Sequence, residues 1–147
     1  MQQMIKLVFL FGALFAVSAH AQEQWEHPDS RLGVLVFNDY GQEYTSDPPG
    51  RAVTMTMYSQ NRRGKIWGPY EIASHVQWHA PEIIIDCKED EKICLGASAG
   101  NMRTGFDPER GCDDCCLRCD GRGHVWQIIG NGRSYIPTHR PHDLPPR

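Results

Sequence analysis

The stretch Val53-Thr54-Met55-Thr56-Met57-Tyr58 carries the clearest alternation of apolar and polar side chains in the chain. Successive side chains of a β-strand point to opposite faces of the sheet, so this period of two predicts a half-buried strand. The turn Asp47-Pro48-Pro49-Gly50 leads into it, and the polar run 59–64 ends it. One face of this strand is therefore expected to lie in the core.

Short apolar runs bounded by turn residues continue on both sides of that strand. The further predicted strands are 32–38, a strand that begins at 65–67 before Gly68-Pro69 interrupts it, 82–87, 93–95, 124–129 and 134–136. We expect 82–87 and 93–95 to form a β-hairpin around the polar tip 88–92, whereas 71–79 fits a helix or a strand equally well. Turn signals at this spacing predict a mainly β fold, a small antiparallel β sandwich or barrel.

A cysteine-rich insert interrupts the series of strands. Asp107-Pro108 has the form of a helix start, with an Asp cap before Pro at the first helical position, and Gly121 would end the helix. Gly111 weakens the middle of this segment. The insert is therefore expected to be a short helix or a loop.

The N-terminus has the pattern of a secretory signal peptide. Lys6 precedes an apolar run of eleven residues, 7–17, and the small-x-small sequence Ala19-His20-Ala21 follows. We expect residues 1–21 to be removed by cleavage near Ala21, giving a secreted or periplasmic protein. The remaining predicted parts are a polar lead-in at 22–31, one β-rich domain at 32–136 and a Pro-rich tail at 137–147 that is flexible or extended.

Composition excludes several classes of protein. Removal of residues 1–21, which hold one lysine and no acidic residue, moves the net charge from −3 to about −4. A mildly acidic chain with a pI of about 6.1 has no electrostatic footprint for nucleic acid. The apolar run is shorter than the roughly 20 residues of a membrane span, and no later stretch is a candidate, so no span is expected in the mature chain.

Six cysteines in an exported chain favour disulfides that stabilise a small domain. They are Cys87, Cys94, Cys112, Cys115, Cys116 and Cys119. One arrangement pairs Cys87 with Cys94 across the predicted hairpin and leaves the other four to pair among themselves. In the other arrangement, Cys87 and Cys94 each bond to the cluster and tie the hairpin to the insert.

A metal site is the alternative for the cysteine cluster. The segment Cys116-Leu117-Arg118-Cys119-Asp120-Gly121-Arg122-Gly123 has the form C-x-x-C-x-G-x-G and resembles the zinc repeats of DnaJ-type chaperones. Those proteins use several copies, whereas this chain has one copy of eight residues, so we do not infer the chaperone function. No cofactor is expected on the main hypothesis; on the alternative the cluster binds zinc, with His124 as a further donor.

Aromatic and cationic residues lie close together in the middle of the chain. Trp67, Tyr70 and Trp78 fall within twelve residues and follow Arg62 and Arg63. Such residues are frequent in binding hot spots, and this set is our candidate binding platform. The competing hypothesis places the aromatic rings in the core, because a domain with few Phe residues fills its core with Trp and Tyr.

The sequence Gly96-Ala97-Ser98-Ala99-Gly100 matches the G-x-S-x-G pattern of a nucleophile elbow. That turn needs a strand before the serine and a helix after it, and 101–105 is a poor helix, so a strand end or loop is expected here. The leading hypothesis is an exported, non-enzymatic domain with a structural or binding role towards an unidentified protein or surface ligand. The alternatives are an extracytoplasmic metal-binding protein and a small serine hydrolase that uses Ser98.

Overall fold

A computed structural model describes residues 29–41, 50–74, 80–138 and 140–147. Within these ranges all regular structure is β, which confirms the predicted class, and no helix is long and apolar enough to cross a bilayer. The predicted signal peptide and Trp78 lie outside the described residues. The strands are β1 (Ser30–Asn38), β2 (Val53–Ser59), β3 (Ile66–Ile72), β4 (Glu82–Cys87), β5 (Lys92–Ala99), β6 (Met102–Gly105), β7 (Cys116–Arg118), β8 (Arg122–Ile128), β9 (Ser134–Tyr135) and β10 (His142–Asp143).

The strands form two five-stranded sheets arranged as a sandwich. The first sheet has the order β10-β8-β1-β4, with β9 also on β8; β1 is parallel to β8 and antiparallel to β4. The second sheet has the order β3-β2-β5-β6 and is antiparallel throughout. Strand β7 pairs with β5 as well, beside its first three residues, while β6 pairs with its last four.

The core lies between the two sheets and follows from the alternation in β2. Val53, Met55 and Met57 are at most 1% exposed, as the period of two predicts. The buried face of β1 and the fully buried Trp126 of β8 belong to the same cluster. Burial of apolar surface on this scale is the main favourable contribution to folding.

Strand β3 continues through Gly68-Pro69, where the sequence predicted an interruption. The pairing of β2 with β3 shifts register between Met55 and Met57, so a bulge absorbs the irregular residues. Strand β3 is also at the end of its sheet, where a missing backbone N–H removes no ladder hydrogen bond. The strand therefore runs to Ile72.

The predicted hairpin of 82–87 and 93–95 is wrong. Strand β4 pairs with β1 in the first sheet, whereas β5 pairs with β2 in the second sheet. The polar tip between them is a crossing from one sheet to the other. Glu91, the last residue before β5, is 3% exposed, because its carboxylate is held inside the crossing and not at a solvent-exposed tip.

The predicted helix beginning at Asp107-Pro108 is also absent from the described residues. Asp107 acts as the expected cap, since its carboxylate accepts from the N–H of Glu109, but the chain turns back at once. Backbone hydrogen bonds join Asp107 and Gly111, and Gly111 has a φ of +70° that an α-helix cannot contain. The insert is therefore a loop followed by the short strand β7.

The C-terminal residues pack across the outer face of the first sheet, and we call 140–147 the strap. His142 pairs with Gly123 of β8, and its ring lies 2.6 Å from a carboxylate oxygen of Glu82. A side chain at Gly33 would collide with Leu144. The Pro-rich end is thus extended, one of the two forms expected, and it contacts the domain.

Candidate functional site

A groove lies along the open side of the sandwich, between the edge strands β3 and β4. Each strand is the last in its sheet, and neither has an outer partner among the described residues. The Trp67 indole N–H spans the gap and donates to the Asp86 carbonyl at 3.2 Å. We call this space, of about 350 Å³, the edge groove; its lining residues are Arg62, Lys65, Trp67, Tyr70, Ile84, Ile85 and Asp86.

Two cations lie over the ring of Trp67 in this groove. The Arg62 guanidinium carbon is 5.5 Å from the ring centroid, and the Lys65 ammonium nitrogen is 5.2 Å from it. Both distances are within the range in which a cation is attracted to the negative face of an aromatic ring. The turn before β3 therefore holds positive charge at the margin of the core.

The aromatic residues of the groove also belong to the wall of the core. Trp67 and Tyr70 pair with Met57 and Met55, whose side chains face inward, and both rings pack on the core while remaining partly exposed. Burial raises the pKa of the Tyr70 hydroxyl above its ordinary value. Each ring therefore packs on the core and also lines the edge groove, so the core hypothesis and the surface hypothesis each describe part of it.

Glu91 fixes the position of Arg62. Both oxygens of its carboxylate accept from the guanidinium at 2.7 Å, and they also accept from the Ser59 hydroxyl at 2.5 Å and the Lys88 backbone N–H at 2.9 Å. Burial raises the pKa of Glu91, but these hydrogen bonds and the charge of Arg62 outweigh it, so the pKa lies below its ordinary value. The carboxylate is therefore charged and fully paired.

The structure brings together three of the five predicted platform residues. Arg62, Trp67 and Tyr70 line the edge groove, while Arg63 is exposed and outside the lining, and Trp78 is outside the described residues. Lys65 also lines the groove; the sequence places it beside the same aromatic residues, but the predicted platform did not include it. Sequence reasoning also missed the β4 side of the groove, for which no local pattern exists.

The six cysteines form three disulfides, and Cys87 is not bonded to Cys94. The pairs are Cys87–Cys119, Cys94–Cys116 and Cys112–Cys115, with Cα separations of 6.2, 3.9 and 6.0 Å. This is the predicted arrangement in which Cys87 and Cys94 both bond to the cluster. The first bond joins the end of β4 in the first sheet to the residue after β7, and the second joins the neighbours β5 and β7.

Four of the sulfur atoms form a tight group, which we call the sulfur cluster. The Sγ atoms of Cys94, Cys112, Cys115 and Cys116 all lie within 4.8 Å of one another. The two cysteines of the C-x-x-C-x-G-x-G segment do not act together, because Cys119 bonds to Cys87 in the core. His124 lies 3.0 Å from the carboxylate of Asp120 and is not a member of the cluster.

Ser98 lies near the end of β5, as the small-residue pattern predicts. The strand turns at Gly100 into the antiparallel strand β6, so the serine is not followed by the helix that a nucleophile elbow requires. Its side chain lines a shallow pocket of about 170 Å³ on the second sheet, together with Thr54 and Arg103.

The three disulfides indicate an oxidising environment for the folded protein. No protein family, curated protein or solved structure matches the chain. The edge groove and the sulfur cluster are the two features whose geometry supports a function.

Proposed function

We propose that the protein is an exported, non-enzymatic binding module, and that the edge groove binds an extended acidic segment of another protein. The observation that carries this proposal is the Lys65 ammonium held over Trp67 between two strand edges, beside Arg62, whose charge is paired with Glu91. The signal-like sequence at 1–21 and the oxidising environment implied by the disulfides support export.

The charges around the groove favour an acidic ligand. Lys65 and Arg63 have no acidic partner within the described residues, although the chain as a whole is acidic. Asp86, the carboxylate in the groove, lies 3.5 Å from Arg147. The positive charge beside Trp67 that has no acidic partner within the described residues is that of the half-buried Lys65, and surface cations of this kind steer acidic partners and fix their orientation.

The two edges favour an extended peptide as the form of the ligand. An edge strand presents backbone N–H and C=O groups on its outer side, and an added strand satisfies those that have no partner; in β4 the Asp86 carbonyl already accepts from Trp67. The exposed Ile66 and Ile84, at 50% and 37%, offer apolar contacts beside β3 and β4. An acidic segment with alternating apolar side chains would use both the backbone groups and the charges.

The test measures binding of a labelled peptide of alternating Glu and Val to the mature protein, by fluorescence anisotropy. We expect saturable binding that weakens as salt rises, and about tenfold weaker binding by Lys65→Glu. A peptide of alternating Lys and Val should not bind.

The matched control is Arg133→Glu, which reverses an exposed charge in the turn before β9 and away from the groove. It should bind the acidic peptide like the wild type. Equal losses in Lys65→Glu and Arg133→Glu, or equal binding of both peptides, would contradict the proposal. Preferential binding of an acidic polysaccharide such as polygalacturonate would replace the peptide ligand with a carbohydrate.

The sulfur cluster supports a second candidate function, metal binding in the reduced protein. Tetrahedral zinc with four thiolates places the sulfurs about 3.8 Å apart, and the four Sγ atoms are already within 4.8 Å. Reduction of Cys94–Cys116 and Cys112–Cys115 would provide the thiolates without bringing distant parts of the chain together.

Intact mass before and after alkylation without reductant distinguishes the two states of the cluster. Metal binding predicts four thiols that react only after a chelator is added, with zinc released in proportion. Six cysteines that resist alkylation with and without the chelator would exclude the metal in the isolated protein. Because the edge groove contains no cysteine, this result leaves the peptide-binding proposal untouched.

A further inference from the structure

The sulfur cluster brings two disulfides into contact. The Sγ atoms of Cys112 and Cys115 each lie 3.9 Å from the Sγ atom of Cys116, which is itself bonded to Cys94. Thiol–disulfide exchange requires a thiolate to approach a disulfide sulfur, and these atoms are close to van der Waals contact. Exchange between the two disulfides therefore needs little movement of the backbone.

The two disulfides each join a buried cysteine to a partly exposed one. Cys115 is 2% exposed and Cys94 is 1% exposed, whereas Cys112 and Cys116 are both partly exposed. They differ in the backbone around the partly exposed cysteine, because Cys112 adjoins the exposed loop 113–114, whereas Cys116 lies in β7 and pairs with Cys94 of β5. A reductant from solution thus meets Cys112 in a loop and Cys116 within a sheet.

We propose that the Cys112–Cys115 disulfide receives electrons from an external dithiol and passes them to the Cys94–Cys116 disulfide. This activity goes beyond the binding function proposed above and does not involve the edge groove. It makes the loop before β7 a relay for thiol–disulfide exchange.

The first step consumes one dithiol. A thiolate of the dithiol attacks Cys112 Sγ, the Cys112–Cys115 bond breaks, and Cys115 leaves as a thiolate that takes up a proton. The second thiol of the reagent then attacks the mixed disulfide, releases the Cys112 thiolate and leaves as an oxidised, cyclic disulfide. The protein has gained two electrons and now has one disulfide fewer.

The second step is internal. The Cys112 thiolate attacks Cys116 Sγ, a Cys112–Cys116 bond forms, and the Cys94–Cys116 bond breaks to release the Cys94 thiolate, which takes up a proton. Cys115 is equally close to Cys116, but a bond between neighbouring residues is strained, so Cys112 is the attacking group. The number of disulfides is unchanged, and the covalent tie between β5 and β7 is lost.

The remaining disulfide provides an internal reference. Cys87 and Cys119 are fully buried, and their sulfurs are not members of the cluster. Reduction of Cys87–Cys119 therefore depends on opening of the core and not on the relay.

The test treats the oxidised mature protein with dithiothreitol, quenches with acid, alkylates the free thiols and maps disulfides by mass spectrometry over time. We expect a transient Cys112–Cys116 species whose rate of formation, once Cys112–Cys115 is open, does not depend on dithiothreitol concentration. In Cys112→Ser/Cys115→Ser, reduction of Cys94–Cys116 should slow at least about tenfold, because an intramolecular attack has been replaced by a bimolecular one. Reduction of Cys87–Cys119 should keep its wild-type rate.

A second experiment avoids dependence on the folding of the variant. Brief reduction of the wild type followed by alkylation gives a fraction of the already folded protein in which Cys112 and Cys115 are blocked, and this fraction is isolated before its remaining disulfides are challenged again. Protection of Cys94–Cys116 by this block supports the relay. Reduction of Cys94–Cys116 at an unchanged rate, or absence of the Cys112–Cys116 species, would overturn it.

Discussion

Two polar side chains, Asn38 and Glu91, are buried at places where the chain passes between the sheets, and they use opposite chemistry. Asn38 is uncharged and fully buried; its amide donates to the carbonyls of Arg51 and Ile72 at 2.9 and 3.0 Å and accepts from the Tyr40 N–H. Glu91 is charged and depends on Arg62. The Asn38 amide binds only backbone groups, whereas the Glu91 carboxylate also holds the Arg62 guanidinium in the edge groove.

The difference shows at which of the two places the free energy of unfolding depends on pH. Hydrogen bonds of an uncharged amide are insensitive to pH over the ordinary range, because none of the groups titrates. The Glu91 site stays intact only while its carboxylate is ionised. Substitutions of Asn38 and of Glu91 should therefore change the free energy of unfolding by different amounts and with different pH dependence.

The largest effect is expected for Glu91→Ala, which leaves the Ser59 hydroxyl, the Lys88 N–H and the inner part of Arg62 without their acceptor. Removal of one partner of a buried ion pair costs about 3–5 kcal/mol, and the 25% exposure of the Arg62 side chain places this case at the lower end. Denaturant unfolding measures the loss. Glu89→Ala, an exposed change in the same crossing, should stay within about 0.5 kcal/mol of wild type.

The same variant should weaken binding of the acidic peptide less than Lys65→Glu does, since Arg62 keeps its charge and loses only its position. A Glu91→Ala protein as stable as Glu89→Ala would show that the crossing does not depend on the buried carboxylate.

A smaller loss is expected for Asn38→Ala. The substitution leaves three carbonyls, those of Arg51, Ile72 and Ala73, and one backbone N–H without the side chain that pairs with them, at a cost of about 2–3 kcal/mol. Thermal unfolding should show a lower Tm, with Asn101→Ala in the exposed turn between β5 and β6 as the control. Equal Tm values for the two alanine variants would mean that water replaces the amide at this junction.

The smallest expected effect is the change in the free energy of unfolding as pH falls into the acidic range. The folded-state pKa of Glu91 lies below that of the unfolded chain, so its contribution is fully present above the unfolded value, about 4.3, and is lost as pH falls through the folded pKa. The free energy of unfolding of wild type should fall more steeply below pH 4 than that of Glu91→Gln. Asn38→Ala should retain the wild-type steepness, and parallel curves for wild type and Glu91→Gln would remove Glu91 as the cause.

Local patterns predicted the parts of the fold that depend on neighbouring residues. The alternation at 53–58 and the run at 32–38 are strands in the structure, and the predicted strand at 134–136 is a strand at Ser134–Tyr135. The aromatic and cationic cluster around Trp67 was also visible, because its members adjoin one turn. In each case the determining residues are close together in sequence.

The errors come from contacts between distant residues. The helix prediction relied on the Asp107 cap, but Gly111 and the bonds of the following cysteines end that turn after a few residues. The hairpin prediction could not register that β5 pairs with β2 of the other sheet, or that Glu91 is paired with Arg62, 29 residues earlier. The β4 wall of the edge groove was missed for the same reason.

The strap has a consequence for how the fold is completed. The pair β1–β8 is parallel, and parallel strands are normally covered on both faces by helices. Here the outer cover over Gly33 and Gly123 is made by Leu144 and His142 of the strap. Completion of the first sheet therefore requires contacts between β1, β8 and the strap, which are far apart in sequence. Contacts of this kind form slowly, because the entropy of closing a long loop is lost before they stabilise the chain.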